Sequence, residues 1–197
     1  TSVTRASFNK KCQNNVTTNI TKQTHRSIGE GMPIFLLQCR AELVGVSSLK
    51  PTRDNTWTLT LSNPLSSDET RDHVTFSESD IVEMDNDRVG GVNFKVKWDG
   101  SKKYSTVKVV PADSKDLKPK KGKRGGGDDW DSNVPGGILE SGKWFTVLAL
   151  DCRGVEPTLY HPNSDDFAVE TEWGGIFDDG VDISGDEGWC EYCEKGG

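Results

Sequence analysis

The sequence predicts an all-β fold, a sandwich or a barrel, and three observations support this class. From residue 32 onward, apolar and polar residues alternate with a period of two, as they do in strands with one buried face. Turn-forming residues, such as those at 54–55, 90–91 and 135–137, separate these stretches. No segment carries an apolar stripe of helical period over the length of a helix.

Five strands are predicted from this pattern. Residues 33–40 and 144–150 are continuous apolar runs, which predict strands that are buried on both faces. Residues 57–61, 92–98 and 106–109 alternate apolar and polar side chains, which predicts strands with one dry face and one wet face. A turn is predicted at Asp99-Gly100, where the run 92–98 ends, because Asp-Gly is a strong hairpin signal.

The chain is predicted to consist of two β halves. A low-hydrophobicity stretch at 113–137 is expected to be a linker loop between a half at 32–112 and a half at 138–197. Its basic run, residues 118–124, is either a solvated loop, a phosphate-binding segment or a localisation signal. A short internal repeat, in which Leu36–Arg40 resembles Ala149–Arg153, is consistent with two related halves.

The segment before the first predicted strand, residues 1–31, is left outside the predicted fold. It is rich in Ser, Thr and Asn and has basic side chains, with Glu30 as its acid. This composition is typical of a disordered tail or of an organelle targeting segment. Since the predicted β pattern begins right after Met32, an extension ahead of a native start at Met32 is a third possibility.

Composition and charge exclude several functions. The net charge is −7. Residues 160–197 contain eleven acidic side chains, with Lys195 as the one lysine or arginine. An acidic chain is a poor match for nucleic acid and a better match for a basic protein partner.

No apolar run approaches about 18 residues, so no membrane span is expected. The acidic clusters at 165–166 and 178–182 match no ordered calcium loop and are expected to form a solvated face.

The five cysteines predict no disulfide framework, because their number is odd and their spacing is irregular. Cys39 and Cys152 lie inside apolar, strand-like runs and are expected to be free and buried, as in a reducing compartment such as the cytoplasm. Cys190 and Cys193 form a Cys-x-x-Cys pair. This pair is either coincidental, a redox pair or half of a metal site that His161, His73 or a second chain would complete.

One segment resembles a known family. It is Asp151-Cys152-Arg153-Gly154-Val155-Glu156-Pro157, and it is similar to the C-terminal half of the eukaryotic CXXC-motif-containing zinc-binding proteins. Further similarities occur in the expected order along residues 32–194: Leu49-Lys50-Pro51, Val74-Thr75-Phe76-Ser77, Asp87-Arg88-Val89-Gly90, Gly174-Gly175-Ile176-Phe177 and Asp186-Glu187-Gly188-Trp189.

The resemblance implies two similar β halves related by a pseudo-twofold, with one zinc ion in the N-terminal half. The family holds this ion with two Cys-x-x-Cys pairs on turns between strands. In this sequence the four positions fall on Asn63, Ser66, Trp98 and Ser101. None of these side chains is a good zinc ligand, so zinc is predicted to be absent there. Trp98 is expected to fill the vacated space.

The sequence therefore predicts a non-enzymatic, soluble, cytoplasmic protein with an interaction or structural role and no cofactor. No catalytic motif or paired-carboxylate arrangement supports an enzyme. An organelle location is the alternative if residues 1–31 are a transit peptide. Two other functions stay open: a zinc-binding protein that uses Cys190 and Cys193, and a ligand-binding β-sandwich. The sequence does not define the oligomeric state or the partner.

Overall fold

A computed structural model of the chain describes residues 10–24, 33–52, 55–84, 91–114, 117, 135, 141–184 and 189–193. These residues form strands and no α-helix, which confirms the all-β class. No helix in these ranges is long and apolar enough to cross a membrane. The strands are β1 (Lys10–Thr24), β2 (Pro33–Val44), β3 (Val46–Pro51), β4 (Thr56–Asn63), β5 (Ser66–Ser77), β6 (Phe94–Val96), β7 (Ser105–Val109), β8 (Trp144–Arg153), β9 (Glu156–Tyr160), β10 (Phe167–Thr171), β11 (Ile176–Phe177) and β12 (Trp189–Cys193).

The strands form three antiparallel sheets. The largest has six strands in the order β12-β1-β2-β8-β7-β6. The other two have three strands each, in the orders β11-β10-β3 and β5-β4-β9. Every sheet therefore combines strands from the 32–112 segment with strands from the 138–197 segment. The two segments are interleaved, and neither forms a sheet by itself. The predicted linker at 113–137 lies mostly outside the described residues.

The strand pairing is symmetric in its connectivity. Exchanging β2 with β8, β1 with β7 and β12 with β6 leaves the order of the six-stranded sheet unchanged. The matching exchange of β3 with β9, β4 with β10 and β5 with β11 converts one small sheet into the other. This connectivity is what a pseudo-twofold between β2 and β8 requires. The pseudo-twofold relation of the coordinates stays a prediction.

The central strands β2 and β8 are buried as their apolar runs predict. On β2, Ile34 and Leu36 belong to a small cluster on one face, whereas Leu37 and Cys39 belong to the main core on the other. Residues 145–150 of β8 are buried without interruption. Both strands lie in the middle of the six-stranded sheet, so continuous apolar sequence is what each of them needs.

The alternating runs also form strands, with less regular burial. Trp57, Leu59 and Leu61 of β4 are buried, but Thr58 is buried as well because its face is also covered. Strand β6 is limited to Phe94–Val96, all half-buried, although the alternation had predicted a strand over 92–98. The polar strand β5 was not predicted. It pairs only with β4, at the edge of its sheet, where polar side chains reach solvent.

Strand β1 corrects the exclusion of residues 1–31. Residues 13–24 of β1 pair with β2, from Gln13↔Val44 to Thr24↔Pro33, and residues 10–14 pair with β12 on the other side. The expectation of a tail is therefore wrong for residues 10–24. Threonine and valine favour strands, but this segment has few apolar residues and so no alternation to reveal it. One of them, Ile20, packs against the main core.

Asp166 corrects the expectation of a solvated acidic face. The residue is only 1% exposed, and its carboxylate accepts hydrogen bonds from the Tyr160 hydroxyl and, at 2.8 Å, from the Asn163 amide. Desolvation raises the pKa of Asp166, and burial raises that of Tyr160. This buried pair fixes the connection between β9 and β10.

Deleting residues 1–31 tests the structural role of β1. The deletion exposes the edge of β2 and removes the partner of β12. We expect the shortened protein to lose most of its free energy of unfolding, which is about 5–15 kcal/mol for globular proteins, and to associate through the bare edge. Urea denaturation and size-exclusion chromatography measure both effects. A deletion of residues 1–9 is the control and should change neither. Equal stability of the 32–197 protein and the full chain would contradict the role of β1.

Candidate functional site

Two turns carry the positions that the resemblance assigns to zinc. The first joins β4 to β5, where the Leu65 amide donates to Asn63 Oδ1 at 3.0 Å. The second lies between β6 and β7, where the Ser101 amide donates to the Trp98 carbonyl at 3.0 Å. Gly100 has a φ of 72° in this turn, a conformation that suits glycine. The turn predicted after residue 98 is thus confirmed.

The two turns face each other across a cavity of about 870 Å³. Asn63, Ser66, Trp98 and Ser101 all line it, so the structure brings these four positions together. The cavity is open to solvent on the side of Leu65, whose side chain is 94% exposed.

Glu69, on β5, joins the two turns. Its Oε2 accepts a hydrogen bond from Asn63 Nδ2 at 2.7 Å, and its Oε1 accepts one from the Asp99 amide at 2.7 Å. The Asp99 amide, then Asn63, and finally the nearby Arg71 charge hold the pKa of the Glu69 carboxyl below its usual range. Sequence reasoning missed Glu69, because it is one charged residue in a polar stretch that matches no motif.

Trp98 fills the space behind the turns, as its type suggested. The side chain is 4% exposed, and the indole Nε1 donates to the Gly154 carbonyl at 2.8 Å. The Arg71 guanidinium carbon lies 5.4 Å from the centre of the indole ring, within range of a cation–π interaction. Trp98 thereby connects the second turn to the segment that carries the resemblance.

That segment forms the corner between β8 and β9. Gly154 has a φ of 66°, and a Cβ at this position would lie 2.7 Å from Ser105 Oγ. Only glycine fits both the backbone conformation and the space. Arg153 also lines the cavity, and its Nη2 lies 3.3 Å from Asp151 Oδ2.

The remaining residues of the segment anchor the corner to the core. Pro157 is buried and pairs with Leu61 of β4. The Glu156 carbonyl accepts a hydrogen bond from Ser62 Oγ at 3.3 Å. Cys152 is buried in the main core. The segment therefore holds the end of β4 that leads into the β4–β5 turn, which is a structural role.

The four converging side chains do not fit a zinc ion. Zinc prefers thiolate, imidazole and carboxylate ligands. The Asn63 amide nitrogen donates to Glu69, and the Ser101 hydroxyl donates to the Lys103 carbonyl at 2.9 Å. The indole nitrogen of Trp98 is a donor only and coordinates no metal. The side-chain donors of Asn63, Trp98 and Ser101 are thus engaged with Glu69 or with the backbone.

The buried cysteines offer no thiolate. Cys39 and Cys152 are buried and unpaired, as predicted. Burial raises the pKa of the Cys39 thiol to about 12 and also raises that of Cys152, so both stay protonated at neutral pH. Cys190 and Cys193 lie on the extended backbone of β12, and their side chains are outside the described part of the chain.

The fold and the site define an all-β protein with two opposed turns. The resemblance assigns one pair of zinc cysteines to each of these turns. The chain belongs to the family described as CXXC motif containing zinc binding protein, eukaryotic, whose match covers residues 36–197. The family membership that the resemblance predicted is confirmed.

Individual relatives are distant. The chain is 27% identical over 119 residues to the UPF0587 protein CG4646 of Drosophila melanogaster, an alignment that spans 60% of this chain and 60% of that protein. A structure described as a hypothetical protein from Plasmodium falciparum has a TM-score of 0.53 at 23% identity, covering 86% of this chain and 81% of the other. The crystal structure of C1orf123 has a TM-score of 0.50 at 16% identity, covering 86% and 80%. These two likenesses show the fold.

Replacing Trp98 tests whether the indole supports this region. Because the side chain is buried, Trp98→Ala should lower the free energy of unfolding by about 3–5 kcal/mol, as measured by urea denaturation. Trp144→Ala is the matched control. Trp144 is 37% exposed, so its replacement should cost only about 1 kcal/mol. Equal losses in the two variants would show that Trp98 is not a structural support.

Proposed function

We propose that this protein is a non-enzymatic member of its family that acts by contacting a protein partner, and that its two turns are held together without zinc. The observation that carries the proposal is the position of Glu69, whose carboxylate bonds to Asn63 on one turn and to the Asp99 amide on the other at 2.7 Å each. A bridging carboxylate supplies the cross-link between turns that a metal ion supplies elsewhere in the family.

The contents of the cavity support a non-enzymatic role. Among its lining residues there is no histidine and no cysteine. The Glu69 carboxylate has both oxygens engaged and a lowered pKa, so it is poorly suited to accept a proton. The serine hydroxyl at 101 is bonded to the Lys103 carbonyl. These hydrogen bonds hold the turns in place and occupy both the Glu69 carboxylate and the Ser101 hydroxyl.

The rim of the cavity supports a protein partner. Leu65 is 94% exposed and Tyr104 is 46% exposed, and both line the same concave surface. The ammonium groups of Lys95 and Lys97 lie 5.3 and 5.9 Å from the centre of the Tyr104 ring. An exposed leucine beside an aromatic ring, surrounded by polar groups, is typical of a surface that a protein partner covers.

A reducing compartment, the cytoplasm, fits this proposal. Cys39 and Cys152 are unpaired thiols in the core, a pattern that is usual where disulfides do not form. Strand β1 is part of the six-stranded sheet, which favours the cytoplasm over an organelle reached by a cleaved targeting segment at 1–31.

The zinc-free link is tested on chelator-treated protein. We expect the chelated chain to stay folded, whereas folds stapled by zinc unfold without it. Because the pKa of Glu69 is lowered in the folded state, its contribution is full above the unfolded value, about 4.3, and is lost as pH falls through the folded value. Glu69→Gln should therefore lower the Tm at pH 7, and the difference from wild type should shrink below about pH 4.

Glu78→Gln, which removes an exposed carboxylate outside the cavity, is the control and should leave the Tm unchanged at both pH values. Unfolding on chelation, or a Glu69→Gln variant as stable as wild type at pH 7, would refute the zinc-free link. About one zinc per chain by elemental analysis, lost in a Cys190→Ser/Cys193→Ser variant, would favour the alternative of a zinc-binding protein that uses those cysteines.

The partner surface is tested with the full chain as bait, because truncation at residue 32 removes β1. Leu65→Ser should weaken capture of a partner from the native source about tenfold, the equivalent of about 1.4 kcal/mol. Leu159→Ser is the matched control, since Leu159 is 54% exposed but does not line the cavity. Quantitative pull-down measures both variants. Retention of the partner by Leu65→Ser, or equal loss in the two variants, would contradict this surface.

A further inference from the structure

A β-bulge on β5 carries two chemically active side chains away from the cavity. Leu59 pairs with Val74 and Leu61 pairs with Arg71, so Thr60 of β4 stands opposite two residues, Asp72 and His73. His73 has a φ of 51°, in the left-handed region that non-glycine residues seldom adopt. Bulges of this kind turn side chains out of the normal alternation and are frequent next to functional sites.

His161 reaches the bulge from the other side of β4. It directly follows β9, and its amide donates to the Thr58 carbonyl at 2.9 Å, which continues the pairing of β9 with β4. Its ring Nε2 lies 2.7 Å from Thr60 Oγ1. The central strand of the small sheet thus brings together two histidines that are far apart in sequence.

The Asp72 carboxylate bridges one ring nitrogen of each of the two stacked imidazole rings. Asp72 Oδ2 is 3.1 Å from His73 Nδ1, and Asp72 Oδ1 is 3.2 Å from His161 Nε2. The ring centres are 4.0 Å apart, with 23° between the ring planes. One donor atom from each of the three residues lies within 4.8 Å of the other two. Asp72 also accepts a hydrogen bond from the Thr60 hydroxyl, which fixes the carboxylate in this position.

We propose that Asp72, His73 and His161 bind a divalent transition-metal ion of the zinc class. Zinc binds imidazole nitrogen and carboxylate oxygen at about 2.0–2.2 Å, and two ligands of a tetrahedral ion are then roughly 3.4 Å apart. The separations of 3.1 and 3.2 Å in the cluster are close to this value. Imidazole ligands favour zinc, cobalt, nickel or copper over calcium and magnesium.

The exposure of the three side chains fits an exchangeable site. The side chains of Asp72 and His73 are 62% and 65% exposed, and that of His161 is 23% exposed. The ion enters from solvent, and water completes its coordination. The His73 ring must turn out of its stack on His161 so that its lone pair points at the ion, and its exposed position permits this rotation. The backbone of the bulge and the β9 end stay fixed.

The site is distinct from the pair of turns in both position and ligands. Asp72, His73 and His161 are absent from the lining of the cavity that holds Glu69 and Trp98. Metal binding at the bulge therefore neither requires nor contradicts a zinc-free link between the turns.

The test is titration of the full chain, after chelator treatment, with ZnCl₂ by calorimetry and with CoCl₂ by visible absorption. We expect one site per chain, with cobalt d–d bands and without the charge-transfer band of a cobalt thiolate. His161→Gln and His73→Asn should each weaken binding at least about 10–100-fold. Asparagine is chosen at 73 because it tolerates a positive φ. Circular dichroism of the metal-free variants confirms that they are folded.

Two controls separate this site from other ligands. His25→Asn removes the third histidine, and Cys190→Ser/Cys193→Ser removes the Cys-x-x-Cys pair; both variants should bind metal like wild type. If His161→Gln fails to fold, the exposed His73→Asn variant decides the question. Absence of binding to the wild type, binding that survives both histidine variants, or binding that disappears with the cysteines would overturn the proposal and leave a hydrogen-bonded Asp-His-His cluster.

Discussion

The antiparallel pairing of β2 with β8 is the constraint on which the rest of the structure depends. It places Leu36 opposite Ala149, two residues more than a hundred positions apart, in the middle of the six-stranded sheet. Both strands are buried on both faces, so a shift in register would break the packing of two clusters at once. Each strand then turns at a glycine with a positive φ, Gly45 or Gly154, into the small sheets that carry the turns and the bulge.

The region around the two turns shows how one architecture can be held by different chemistry. The turns approach each other because β4, β5 and the β6–β7 connection are fixed by the core, and a cross-link then holds their tips. Here the Glu69 carboxylate accepts two hydrogen bonds, and the buried Trp98 indole packs behind the turns. The residue that makes this link, Glu69, lies outside the four positions that the resemblance aligns with the zinc cysteines.

Much of the core could be predicted from sequence, and the errors have physical causes. The apolar runs that became β2 and β8 were recognisable because burial on both faces leaves a continuous apolar signal. Strand β1 was missed because it obtains its stability from pairing with β2 and β12 and contributes few apolar side chains. The polar β5 was missed because an edge strand needs no second apolar face.

The functional residues were harder to predict than the strands. Trp98 stood out because the resemblance aligns it with a zinc cysteine of the family, but Glu69 has no sequence signal and is recognised only through its hydrogen bonds to the two turns. His73 lies in the β-bulge of β5, and His161 follows β9 much later in the chain. Only the pairing of both strands with β4 brings the two rings together. Asp166 looked like one of many surface acids until the Tyr160 hydroxyl was placed beside it.

The side chains around the two turns contain no sulfur. Thiolates that hold zinc are the atoms that peroxide attacks first, and their oxidation releases the ion and loosens the turns they connect. The amide, two hydroxyls, indole and carboxylate found here do not undergo the stepwise oxidation of a cysteine sulfur. The described side chains at the tips of these hairpins therefore offer peroxide no zinc-bound thiolate to oxidise, so loss of a metal by thiol oxidation is not a way to open them.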